Sequence, residues 1–146
     1  MDKSKIIEMI KSKISEKIRN FENLITETRA SNNDTKSSMG DKYETGREML
    51  QQEINNLQRQ LNEVLHQQTL IQRLLSEPLE KVQNGALVKT NKGIFYISAS
   101  VGEIVSENTK IMTISEEAPL AKAMMGLKEG QTFSINNINQ TIENIW

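Results

Sequence analysis

Two carboxylates lie three residues apart in the stretch GDKYE, where Asp41 and Glu44 follow Gly40. Carboxylate oxygens suit Mg²⁺, but two acids alone hold this ion weakly because it keeps several of its waters. Such a pair is therefore useful chiefly where a metal and phosphates are already present. The same spacing also suits a helix start, where acids in the first turn are favoured by capping and by the helix dipole. From the spacing alone, both explanations stay open.

The rest of the sequence offers no rival centre of chemistry. His66 is the single histidine, it lies among glutamines, and the chain contains no cysteine, so zinc binding and Cys- or His-centred catalysis lack support. No glycine-rich phosphate loop is present. The formal net charge of -1 argues against general nucleic-acid binding, so we expect no DNA binding. No apolar run approaches the roughly 20 residues that span a bilayer, so we expect a cytoplasmic protein without membrane contact.

Hydrophobic heptads on both sides of the acid pair predict two long amphipathic helices. The first stripe consists of Ile7, Ile10, Ile14, Phe21 and Leu24, widened by Ile6, Ile18 and Ile25. The second consists of Leu50, Ile54, Leu57, Leu61, Val64, Ile71 and Leu75. Lys17 weakens the first seam and Gln68 interrupts the second. A second helix over 44–75 would be roughly 48 Å long at 1.5 Å per residue.

The polar segment TRASNNDTKSSMGDKY joins the two stripes and predicts a loop, with the tip near 31–44. Two helices that each carry an apolar heptad stripe and are joined by a short connection favour an antiparallel coiled-coil hairpin within one chain. We therefore expect a monomer. The alternative is that each helix pairs with another chain. Pro78 cannot continue a helix, which places the end of the hairpin at residue 77.

Residues 78–146 predict a second domain, a small antiparallel β-sheet crossed by one short helix. Strands are indicated on both sides of TNKG, in NTKIMTIS and on both sides of NNIN. The stretch APLAKAMMG predicts a helix with Pro119 in its first turn and Gly126 after its end. The predicted fold class is therefore α+β: a long hairpin over 1–77 followed by a small β domain over 78–146.

Two local motifs resemble those of the Gre family of bacterial transcript-cleavage factors. The stretch GDKYE is similar to the family's Gly-Asp-x-x-Glu signature, which falls on Asp41 and Glu44. The stretch APLAKAMMGLKEGQ is similar to its Ser-Pro-x-Gly-x-Ala-Leu-Leu-Gly-x-x-x-Gly-Asp pattern. This second motif matches at Pro119, Lys122, Ala123, Gly126 and Gly130.

The resemblance implies a function. Gre factors bind RNA polymerase through an FKBP-like C-terminal domain and extend the coiled coil through the secondary channel. Their tip acids help to hold the second Mg²⁺, so that the polymerase cleaves the 3′ end of backtracked RNA. By this resemblance, Asp41 and Glu44 would be the catalytic, metal-sharing pair, and Ala118, Pro119 and Leu120 would contact the polymerase. The protein would be an accessory factor and not itself an enzyme.

Departures from the family pattern keep other functions open. Tyr43 and Thr45 replace the usual Ser and Asn at the tip, and Ala118, Ala121 and Gln131 replace the usual Ser, Gly and acid. A channel-binding regulator without cleavage stimulation is therefore the main alternative. A peptidyl-prolyl isomerase is disfavoured because few aromatic side chains are available to line a proline pocket. A structural coiled-coil adaptor is the remaining possibility.

Overall fold

The computed structural model describes residues 1–34, 41–74 and 76–146, apart from the side chains of 32–34 and 41–45. Two helices of equal length begin the chain: α1 spans Lys3–Asp34 and α2 spans Asp41–Gln72, with 32 residues each. Each is therefore about 48 Å long. The predicted pair of long helices is confirmed, while Leu75 of the predicted seam lies outside the described residues.

The helix bounds correct the predicted loop. Residues 28–34 belong to α1 and Asp41 already belongs to α2, so the connection comprises 35–40, which lie outside the described residues. The polar residues before 35 include neither Gly nor Pro, so nothing in their chemistry ends the helix early. The hydroxyls of Thr26 and Thr28 donate to the carbonyls of Glu22 and Leu24, at 2.9 and 2.7 Å, and so are satisfied within α1.

The chain divides into two compact units. The hairpin unit is Ile14–Gln68, and the sheet unit is Met1–Lys13 with Thr69–Trp146. In the hairpin unit, Ile25 of α1 packs with Ile54 and Leu61 of α2. A cleft between the same helices is lined by residues 17–24 and 60–67. Later residues of α1 thus meet earlier residues of α2, so the helices run antiparallel. The predicted division at residues 77 and 78 stays a prediction.

In the part of the chain that the structure describes, six strands form the sheet, in the order β3-β4-β2-β1-β6-β5. Their bounds, with that of the short helix between β4 and β5, are as follows: β1 Leu87–Thr90, β2 Gly93–Ile97, β3 Glu103–Ser106, β4 Thr109–Ile114, α3 Pro119–Met124, β5 Thr132–Ile135 and β6 Ile138–Ile145. The predicted α+β class is confirmed. The predicted strands around TNKG and NNIN, the strand in NTKIMTIS and the helix after Ala118 are all present.

The sheet is mixed, which corrects the predicted wholly antiparallel arrangement. Strands β2 and β4 pair in parallel, whereas β1–β2, β1–β6, β3–β4 and β5–β6 are antiparallel. The parallel pair arises because β3 lies between β2 and β4 in sequence and takes the edge position of the sheet. The sequence patterns did not indicate β3, since its four residues, EIVS, are too short for a clear alternation.

The core of the sheet unit lies between α3 and one face of the sheet. Ala121 and Met124 of α3 pack with apolar residues from four strands. The latter are Val88, Ile97, Phe133, Ile142 and Ile145. The first turn of α1 joins the same unit through a buried lysine. The ammonium of Lys3 donates to the carbonyls of Glu77 and Trp146 at 2.9 and 3.1 Å. Desolvation by burial lowers the pKa of Lys3 from its ordinary 10.5.

Candidate functional site

The acid pair lies at the start of α2, in the hairpin unit. Asp41 is the first residue of the helix, and Glu44 follows three residues later. Residues with that spacing are neighbours on one helix surface. The positive end of the helix dipole also favours negative charge there. The backbone thus places both acids in the first turn of α2, as the capping and the metal-sharing hypotheses both require. Their side chains lie outside the described residues.

Gly46 is a second feature of this helix start. A glycine inside a helix costs stability because its backbone loses more freedom on folding than that of any other residue. No described atom lies within 4 Å of the position that a Cβ on Gly46 would occupy. Packing against the described residues therefore does not require this glycine, and its effect on α2 is to weaken the first turns behind the acid pair.

The proposed partner-binding residues surround the start of α3, in the sheet unit. Ala118 is extended, with φ -62° and ψ 142°, and its carbonyl accepts from the N–H of Lys122 at 2.9 Å. Pro119 is exposed at the first helical position, where a missing N–H costs nothing. Ala118 and Leu120 are half-buried against the core of the unit. Of the three, Pro119 is therefore the residue most available to a partner.

The surface of α3 continues beyond Pro119. Lys122 lies one turn later, is exposed, and forms an ion pair with Glu117 at 3.5 Å. The adjacent methionines differ: Met124 is fully buried, whereas Met125 is 40% exposed. Gly126 then adopts a φ of +82°, a conformation that glycine accepts and that ends the helix. Pro119, Lys122 and Met125 follow at intervals of three and give this end of the sheet unit a mixed apolar and charged surface.

Gln131, which stands where the resembling motif has an acid, closes the turn after α3. Its side-chain oxygen accepts from the N–H of Lys128 at 2.7 Å. An amide oxygen serves this purpose as well as a carboxylate would. The departure from the pattern is therefore compatible with the local fold. Gly130, in the same turn, has a φ of +85°.

Sequence reasoning missed a side cleft in the hairpin unit, with a volume of about 370 Å³. Its apolar floor is formed by Phe21, Leu24 and Val64, and Lys17, Glu63 and Gln67 also line it. The signal for it was present: Lys17 is the weak position of the first heptad seam, and Gln68, next to Gln67, interrupts the second. Leu24, predicted as a seam residue, is 45% exposed at this cleft.

Other classes of site find no support in the described residues. Among them, no group of three or more Asp, Glu or His could hold a metal ion. No helix in the same ranges is both long and apolar enough to cross a membrane. The fold and the candidate sites therefore define a long helical hairpin with acids at the start of its second helix, joined in sequence to a mixed-sheet unit.

Comparisons with known proteins gave similar solved structures, of which two are described. One is the crystal structure of GreA factor homolog 1 (Gfh1) of Thermus thermophilus, with 15% identity and a TM-score of 0.39. It covers 93% of this chain and 94% of that chain. The other is a structure of the transcription factor Gfh1, with 14% identity, a TM-score of 0.38, and coverage of 91% and 89%. No protein-family model and no curated protein matches the chain.

Proposed function

We propose that this protein is a transcription factor that binds RNA polymerase and stimulates cleavage of backtracked RNA by the polymerase's own active centre. The observation that carries the proposal is the position of Asp41 and Glu44 in the first turn of the second helix of an antiparallel hairpin. Two long helices of this kind can present a pair of acids inside a narrow passage. The resemblance of both motifs to the Gre family agrees with this function.

The chemistry of the pair suits a metal that another protein already holds. Carboxylate oxygens are hard ligands, as Mg²⁺ requires, and Asp41 and Glu44 would complete the coordination of an ion held jointly with the polymerase. When bound, Mg²⁺ would stabilise the attacking and leaving oxygens of phosphodiester hydrolysis. The contribution of this chain would be to bring two negative charges close to the 3′ end of the RNA. The protein is in this view an accessory factor.

Docking on the polymerase would involve the start of α3. Pro119 is exposed and rigid, and the half-buried Ala118 and Leu120 hold it against the core of the sheet unit. A rigid apolar contact of this kind loses little conformational freedom on binding, which favours affinity. Lys122 and Met125 extend the same surface. Binding and cleavage stimulation would thus depend on different residues, in different compact units.

The alternative is a regulator that occupies the channel without stimulating cleavage. The observation that favours it is the tip sequence, in which Tyr43 and Thr45 replace the Ser and Asn of the resembling motif. Tyr43 adds a bulky ring between the two acids in sequence. Under this alternative the α3 surface keeps its function, and the acids serve only to cap and stabilise α2.

A stalled, backtracked elongation complex tests the proposal directly. The protein is added to the complex, and the length of the RNA is followed with time. We expect shortening of the RNA that falls by at least about 100-fold in Asp41→Asn and in Glu44→Gln, a typical loss for electrostatic groups in catalysis. Glu48→Gln, which removes an exposed acid about one turn further along α2, is the matched control and should cleave normally.

A binding measurement on the same complex separates the two functions. We expect Asp41→Asn to bind with unchanged affinity and Pro119→Glu to bind at least about tenfold more weakly. Lys128→Glu, exposed and beyond α3, is a stricter control for charge, because it makes the protein more negative by two units and not by one. Binding without RNA shortening would establish the regulator, and absence of both would contradict the proposal and its alternative together.

A further inference from the structure

We propose that the side cleft of the hairpin unit is a self-association site, which receives Leu24 of a second copy of this chain. The inference goes beyond the proposed function and stands without it. Leu24 is 45% exposed although it belongs to the apolar stripe of α1. It lies beside an apolar floor formed with Phe21 and Val64. An exposed leucine next to an apolar cleft is complementary to its own copy.

The charges at the cleft support the same occupant. Lys17 of α1 and Glu63 of α2 both line it, and neither forms an ion pair with another described residue. A surface that carries one free cation and one free anion matches itself when a second copy is turned about a two-fold axis. Lys17 of each chain then faces Glu63 of the other, and each contact occurs twice. Apolar and ionic complementarity therefore both point to an isologous pair.

The association should be weak. A contact confined to this cleft is small, and small interfaces bind in the range of transient encounters. We therefore expect a monomer at low concentration and a dimer at high concentration. Because the site lies on the hairpin, a dimer would cover the surface that the proposed function brings into the polymerase.

Sedimentation equilibrium of the full chain, from about 1 μM to about 1 mM, tests the inference. The wild type should pass from monomer to dimer, and Leu24→Glu should stay monomeric. Leu70→Glu is the matched control, because Leu70 is an exposed leucine of α2 that does not line the cleft. A wild type that stays monomeric throughout overturns the inference, as does a Leu24→Glu chain that dimerises normally.

A charge exchange identifies the pairing. Lys17→Glu and Glu63→Lys should each weaken the dimer by about tenfold or more, because each brings like charges together. The double variant should recover most of the wild-type affinity, whereas Glu53→Lys, outside the cleft, should have no effect. If loss of helical circular dichroism showed that Leu24→Glu does not fold, the charge exchange alone would test the inference. Failure of the double variant to recover overturns the inference, while the cleavage assay reports separately on the proposed function.

Discussion

The sheet unit and the hairpin unit bury their apolar side chains to different degrees. In the sheet unit, the strands and α3 enclose side chains such as Ile97, Met124 and Ile142 completely. In the hairpin unit, Ile14 is fully buried, but Ile25, Ile54 and Leu61 each keep a small exposed fraction and Leu24 is open. A sheet covered by a helix surrounds a side chain, whereas two helices meet along a single seam. Stability should therefore be concentrated in the sheet unit.

Under the proposed function, this difference suits the two units to different tasks. Two helices that pack along one line bury little area for their length, but each helix is about 48 Å long, so the start of α2 lies far from its other end. A closed core supports surface residues with fixed positions, such as Pro119 at the start of α3. The sheet unit therefore suits a surface that binds a partner, and the hairpin unit suits a pair of acids that acts at a distance from that surface.

Truncation of one core residue in each unit gives the largest expected effect. Ile97→Ala should lower the free energy of unfolding by about 3–5 kcal/mol, and Leu61→Ala by about 2 kcal/mol, because an open seam can relax around the lost methyl groups. Urea unfolding followed by Trp146 fluorescence and by far-UV circular dichroism would measure both. Val105→Ala, at an exposed position, should stay within about 0.5 kcal/mol of the wild type. Equal losses in both units would contradict the comparison.

The buried Tyr96 sharpens the comparison through its pH dependence. Its hydroxyl has no partner among the described residues, and burial raises the pKa of Tyr96 to about 12. The tyrosine of the unfolded chain loses its proton near pH 10, before that of the folded chain does. The free energy of unfolding is therefore unaffected by this ionisation below pH 10. The free energy of unfolding then falls by about 2–3 kcal/mol as the pH approaches 12.

Tyr96→Phe isolates that effect. The variant should be as stable as the wild type at neutral pH, or more stable by up to about 1 kcal/mol, because the unpaired hydroxyl is removed. Above pH 10 it should lose less stability than the wild type. Urea unfolding at a series of pH values checks both statements, and parallel pH profiles of the two proteins would disprove the assignment.

The smallest expected effect lies in the hairpin unit. Gly46→Ala should raise the free energy of unfolding of that unit by about 1 kcal/mol, because alanine favours the helix and no described atom obstructs its Cβ. Amide hydrogen exchange in the first turns of α2 would measure the gain locally. An increase in exchange at those amides would show that the glycine has a structural purpose.

The elements with strong periodicity or turn chemistry could be predicted from the sequence. The heptads predicted both long helices, and the Asn-rich turns predicted the strand pairs. The turn at Asn136 and Asn137 has positive φ at both residues, which asparagine tolerates. Its β3–β4 counterpart places Glu107 at φ 51°, an uncommon residue there. The β3–β4 hairpin therefore had no recognisable turn signal, and because β3 was missed, the parallel β2–β4 pair was missed with it.

The helix ends and the exposure of seam residues could not be predicted. Polar residues 28–34 resemble a loop in composition, yet nothing in them stops a helix. At the C-terminal end of α2, the N–H groups of Arg73 and Leu74 donate to the carbonyls of Leu70 and Ile71, three residues earlier. This tightened turn ends the helix before the predicted residue 75. Leu24 satisfied the period of the stripe, but only the packing of the two helices decides which stripe residues are covered.

The two adjacent methionines at the end of α3 have a chemical consequence. Peroxide converts accessible thioethers to sulfoxides, so Met125 should be oxidised well before the enclosed Met124. Peptide mass spectrometry could then use Met125 as a footprint of any protein that covers α3, with Met124 as the internal reference. The added oxygen would also make that surface more polar, so that oxidative damage there would weaken an apolar contact without unfolding the chain.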